Sequence, residues 1–166
     1  MPSLLVSDTS VLIDLERANL LQAAFKLPTP MAVPDVLYER ELKDSNGPVL
    51  ITLGLKVLSL DSVGVAIAQT YVQRSAAISV PDAFALALAK VGGHTLLSGD
   101  GALIKLAQQE LVECHGVLWL FDCVEQAALS TLAQLRDGLE ALASHPRCRL
   151  PRAALDERLA RYRTSR

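Results

Sequence analysis

Two short apolar runs that each end in an aspartate constrain this chain more than any other feature. Residues 4–7 run straight into Asp8 (VSDTSVLIDL), and residues 94–98 run through Gly99 into Asp100 (TLLSGDGALIKLA). Both runs have strand length, and helical patterning follows each. The same alternation recurs along the chain. Residues 31–33 and 56–60 read as further strands, and a last short one is expected near 112–115. Helices are expected over 11–26 with a break near Asn19, from Pro34 to about Lys43, briefly at 49–53, and over 62–77. Pro81 opens the clearest helix (DAFALALAKV), which Gly92 and Gly93 close. After a helix at 102–111, three more over 117–129, 131–144 and 151–163 complete the chain. Strands alternating with helices predict an α/β fold, a three-layer α/β/α sandwich around a central parallel sheet. In such folds ligands bind beyond the carboxyl ends of the strands, where the strand order reverses. Asp8 and Asp100 belong at that rim.

Length and composition are consistent with this. At 166 residues the chain has the size of one globular domain. With 51% hydrophobic and 20% charged residues it can build a core and is too apolar for disorder. Aromatics are only 4%, so that core consists of Leu, Val, Ile and Ala. No uncharged apolar stretch approaches the roughly 18–20 residues that span a bilayer. Asp8 interrupts the N-terminal run, so neither a membrane span nor a secretion signal is expected. Cys114, Cys123 and Cys148 form no CxxC pair, which argues against a disulfide framework or a zinc site. A reduced, cytoplasmic protein is the expectation. The net charge is −2, but from Arg147 onward seven arginines face only Asp156 and Glu157. A basic tail on an acidic body can serve RNA or a protein partner, or can be a solvated amphipathic helix.

Several acids stand where chemistry could use them. Asp8, followed by Thr9 and Ser10, is either a helix cap or a ligand. Asp82 comes just after Pro81, and Ser79 with Asp82 resembles a capping arrangement. Yet Ala83, Ala85, Ala87 and Ala89 predict a helix pressed onto the sheet, where a carboxylate is costly unless paired or metal-bound. Asp100 is a glycine-flanked turn residue, a cap, or a third rim carboxylate with Ser98 nearby. Glu39 and Glu41 lie in VPDVLYERELKD, where Asp35 belongs to the first turn. Acids from separate elements meeting at one rim repel each other. Mg²⁺ or Mn²⁺, which prefer oxygen ligands, would relieve that repulsion and let an RNA phosphate approach.

Taken as a set, DTSVLIDL, VPDVLYEREL, PDAFALALA and TLLSGDGALIKLA resemble the PIN-domain ribonucleases over roughly residues 4–120. That family includes the toxins of bacterial and archaeal toxin–antitoxin pairs. The resemblance implies a PIN-like nuclease domain over 1–125, with a C-terminal helical extension at 126–166 packed on the same domain and carrying the basic tail. It matches Asp8, Asp82 and Asp100 to the family's metal-site aspartates. For the family's glutamate, an acid-then-leucine pattern favours Glu41-Leu42, whereas spacing from Val36 favours Glu39. Glu39 is taken as the match. Also implied are Mg²⁺- or Mn²⁺-dependent hydrolysis of single-stranded or loop RNA, leaving 5′-phosphate and 3′-hydroxyl ends, and a homodimer. For toxins, inhibition by a small antitoxin protein is implied as well. The alternative is a catalytically silent PIN fold acting as an RNA- or protein-binding module.

Other chemistries find little support. His94, His115 and His145 do not form a ligand set, and there is no nucleophile elbow or GxxxxGK[ST] phosphate loop. Aspartate-phosphoryl enzymes carry a second acid where this chain has Ser10.

Overall fold

A computed structural model describes the backbone of residues 3–164; Arg166 of the basic tail lies outside the described residues. The chain forms two compact units. One comprises the chain up to Val11 together with Pro28–Gly116, the other Leu12–Leu27 together with everything from Val117 onward.

The first unit is built on a five-stranded sheet of order β3-β2-β1-β4-β5. Its strands are β1 (Leu5–Ser7), β2 (Met31–Pro34), β3 (Lys56–Leu58), β4 (Thr95–Leu97) and β5 (Cys114–His115). All four pairings are parallel, giving the α/β class and central parallel sheet expected from the sequence. β1 and β2 are buried at every position, as apolar runs in a parallel sheet should be. β3 is an edge strand, with Lys56 and Val57 exposed. The strand order reverses between β1 and β4, the two strands that run into Asp8 and Asp100.

Helices α1 (Thr9–Arg17) and α2 (Leu21–Phe25) are separated at Asn19, whose φ of 56° is a left-handed conformation that asparagine tolerates. α3 (Asp35–Leu37) follows β2 with no intervening loop. Pro34 was expected to open this helix but is instead the last residue of the strand, with ψ at 150°. α3 then runs into a single π-helical turn, Tyr38–Leu42, in which the Lys43 N–H donates to the Tyr38 carbonyl at 2.8 Å. Such i→i+5 turns insert one residue into a helix and often accompany functional sites.

The unit continues with α4 (Gly47–Leu53), α5 (Ser62–Arg74), α6 (Val80–Gly92) and α7 (Gly101–Gln109). Asp61 caps α5, its Oδ1 accepting from the Gly64 N–H at 2.8 Å. α6 ends at Gly93, whose φ of 66° favours glycine, and packs on β1, β2 and β4. Ala83, Ala85, Ala87 and Ala89 are all buried, and their small side chains let the helix approach closely. Val6, Leu96, Tyr71, Leu86 and Leu103 share one core with them.

The second unit contains α8 (Val117–Gln126), α9 (Leu132–Ser144) and α10 (Arg152–Thr164), with α2 and the later part of α1. Thr131 and Gln134 form a reciprocal capping box at the start of α9. The tail's arginines are heavily engaged with acids of the same unit. Arg158 meets Asp122 at 2.6 Å, Arg161 meets Asp122 and Glu125, and Arg163 meets Glu140 at 2.9 Å. Gly138 of α9 lies so close to α1 that a Cβ there would sit 2.6 Å from the Ala18 carbonyl oxygen. Gly138→Ala is therefore expected to cost about 1–3 kcal/mol of stability, read by urea unfolding. An unchanged midpoint would mean the two backbones separate freely. All three cysteines are free thiols, and among the described residues no helix is long and apolar enough to cross a membrane.

Candidate active site

The parallel register sets the site. Ser7 pairs with Leu97, so the next residues, Asp8 and Ser98, leave β1 and β4 side by side. Val6 and Leu96 belong to the core that α6 covers, and strand side chains alternate between faces. Asp8 and Ser98 therefore face that same side. α6 runs towards β4 through Gly92 and Gly93, which places its first turn, with Asp82, at the carboxyl edge of the sheet.

Asp8 is only 2% exposed, and both its oxygens are engaged. Oδ1 accepts from the Ser10 hydroxyl and from the Val11 N–H, each at 2.9 Å. That is helix capping of α1. The other oxygen, Oδ2, accepts from the Ser98 hydroxyl at 2.6 Å, a bond that capping does not explain. Ser98 is fully buried, and its Oγ also accepts from the Asp100 N–H at 3.0 Å. One hydroxyl thus ties the two strand-end acids together. Burial raises the Asp8 pKa above the usual carboxylate value, outweighing hydrogen bonds from Ser98, Val11 and Ser10, and the Asp100 charge adds to the rise.

Asp82 is half-buried and its carboxylate is not the cap of its helix. Ser79 does that work, its Oγ accepting from the Asp82 N–H at 3.2 Å. Burial first, then the charge of Asp8, push the Asp82 pKa up to about 6; the Ser79 hydrogen bond opposes this, and Glu41 and Asp100 add to it. Asp100 occupies the N-cap position of α7, yet its side chain makes no capping bond. Glu41 is exposed at the rim, with Oε2 accepting from the Thr9 hydroxyl at 3.0 Å. Asp82 therefore lies within electrostatic reach of Asp8, Glu41 and Asp100, and Asp8 within reach of Asp100.

Glu39 is not brought to this group. It pairs with Lys43 at 3.1 Å, and its side chain is 60% exposed. Helical counting from Val36 lands on Glu39, and the π-turn inserts a residue within that count. Glu41 is the acid that an acid-then-leucine pattern singles out, and the leucine after it, Leu42, is buried. Thr9, which orients Glu41, was not singled out in the sequence; its only signal is a hydroxyl directly after a strand-end aspartate. Among the histidines, His94 has a structural partner, its Nδ1 accepting from the Leu4 N–H at 3.1 Å.

The donor set is all oxygen, which fits a hard divalent cation such as Mg²⁺ or Mn²⁺ and does not fit softer metals. Among the described residues no three His, Cys, Asp or Glu side chains converge as a ready-made cage. Mg²⁺ is commonly held by one or two carboxylates with water completing its shell, so the set remains compatible with it. A cavity of about 610 Å³ in the second unit, lined by Arg17, Lys26, Gln134 and Asp137 among others, contains none of the four acids.

The parallel sheet, with acids at the switch point of its strand order, defines an α/β domain whose candidate site lies at the carboxyl edge of the sheet. A family described as a PIN domain matches residues 4–164, nearly the whole chain, and the chain belongs to that family. Among curated proteins, none matches it. PIN domains are generally nucleases and typically use divalent metals.

Proposed function

We propose that this protein is a metal-dependent endoribonuclease that holds Mg²⁺ or Mn²⁺ at Asp8, Asp82 and Asp100, with Glu41 as the fourth acid. The observation that supports this most is the mutual repulsion of carboxylates from four separate elements, which helps to lift Asp82 to about 6. Such an arrangement is unfavourable without a counter-charge. When bound, the cation supplies positive charge for the RNA phosphate and lowers the pKa of an attacking water.

The chain's own residues divide the remaining work. Asp8, locked by Ser10, Val11 and Ser98, offers a rigid oxygen. Asp100, whose carboxylate is not used for capping, can turn towards its ligand. Glu41, whose Oε2 accepts from the Thr9 hydroxyl, would be the group that accepts a proton from the attacking water. The resemblance to toxins of toxin–antitoxin pairs makes that role our reading, together with a homodimer, a small antitoxin partner and a cytoplasmic location. Three free thiols accord with a reducing compartment.

The test is incubation of purified protein with end-labelled single-stranded RNA. Cleavage to 5′-phosphate ends is expected with Mn²⁺ and none with a chelator. Glu41→Gln should slow cleavage about 10²-fold, while Glu39→Gln stays within about twofold of wild type. The reverse pattern would return the fourth acid to Glu39. RNA binding without turnover in either metal would favour the silent binding module.

A further inference from the structure

Val80 and Phe84 stand one turn apart on α6, on either side of Asp82 in the sequence. With Gln69, Val72 and Gln73 of α5 they line a cavity of about 520 Å³. That volume falls within the range of small-ligand sites, roughly 300–1,000 Å³. The lining carries no charge, although four acids gather at the start of the same helix. Phe84 is only partly buried and packs against the core, so its ring is fixed yet reachable. Gln69 and Gln73 are exposed and one turn apart, so both amides stand on the same side of α5.

This lining discriminates between the parts of a nucleotide. A phosphate would find no cation in it. A nucleobase is flat, uncharged and rich in edge donors and acceptors, and proteins hold unstacked bases with an aromatic ring and side-chain amides. Two residues of α-helix turn about 200° and rise about 3 Å. The cavity therefore opens on the α5 side of α6, with the body of the helix, about 10 Å across, between it and Asp82.

We propose that this cavity is a base-recognition subsite, in which Phe84 stacks on one unpaired RNA base and Gln69 and Gln73 read its edge. Its use during RNA cleavage rests on the endoribonuclease reading, but binding of the base does not require catalysis. The test compares fluorescent RNA oligomers with abasic oligomers of equal length, by anisotropy in Mg²⁺, for wild type, Phe84→Leu and Phe84→Tyr. Phe84→Leu should weaken binding of the base-bearing strand about tenfold and leave the abasic strand unchanged, with Phe84→Tyr close to wild type. Gln69→Leu and Gln73→Leu should alter the ranking of the four homopolymers. Equal binding by wild type and Phe84→Leu, or equal losses on both kinds of strand, would overturn the subsite. Hydrolysis of bis(p-nitrophenyl) phosphate, which carries no base, reads the acidic centre separately and should be the same in all these variants. If wild type cleaves neither that ester nor RNA, the nuclease reading fails while the binding comparison still decides the subsite.

Discussion

Asp8→Asn is expected to lower metal-dependent RNA cleavage by about 10²–10³-fold while the protein stays folded. The two halves of that expectation have one cause. Asp8 is almost fully buried and its pKa is raised, so its charge costs the fold free energy that a metal-free protein does not recover. Asparagine has the same shape and can still accept from Val11, and the Ser98 hydroxyl can turn to meet its amide. What disappears is the negative oxygen a cation needs. Asp100→Asn should produce a similar loss with little change in stability, because Asp100 is exposed and makes no capping bond. Single-turnover cleavage, with circular dichroism as the folding control, measures both. Wild-type rates in the two variants together would remove the catalytic centre from this edge of the sheet.

The second large effect concerns pH. The metal-free protein should lose stability as pH rises through the interval from about 4 to 6. Folded Asp82 titrates near 6 against an ordinary value of 3.8, so between these values the folded state keeps a proton that the unfolded chain has released. Protonation therefore favours the fold on the acid side, and the advantage vanishes as pH passes the folded value. Asp8, also raised, acts in the same direction. Discounted for partial exposure, the Asp82 contribution is about 2 kcal/mol. Asp82→Asn should accordingly stabilise the metal-free protein at pH 7.5 and flatten this dependence, while weakening Mn²⁺ binding. Urea unfolding with chelator at pH 5 and 7.5, and calorimetric Mn²⁺ titration, test the two halves independently. A variant with wild-type Mn²⁺ affinity would take Asp82 out of the centre. A helix-capping role would instead predict a loss of about 0.5–2 kcal/mol on replacement by alanine.

The parts of this architecture that sequence reveals are those fixed by local chemistry. Asp8 and Asp100 mark strand ends because a carboxylate cannot continue a buried apolar run. The break at Asn19 and the stop at Gly93 were legible because both positions need a left-handed backbone. The alanine row of α6 announced its contact with the sheet. Other features depend on long-range packing and left no such trace. The π-turn at Tyr38–Leu42, which carries both Glu39 and Glu41, has no strong local signature. Nor does any composition shift mark Leu12–Leu27 as grouping with the helices after Val117 and not with the sheet beside it in sequence. The tail's arginines read as a positive patch until their partners Asp122, Glu125 and Glu140 are located.

The two outermost strands of the sheet are three and two residues long. So few unpaired backbone groups give another chain's strand almost nothing to align with. At the longer edge the Lys56 ammonium would also have to shed its water before any such alignment formed. Fibre-like stacking of this protein through its sheet is thereby discouraged.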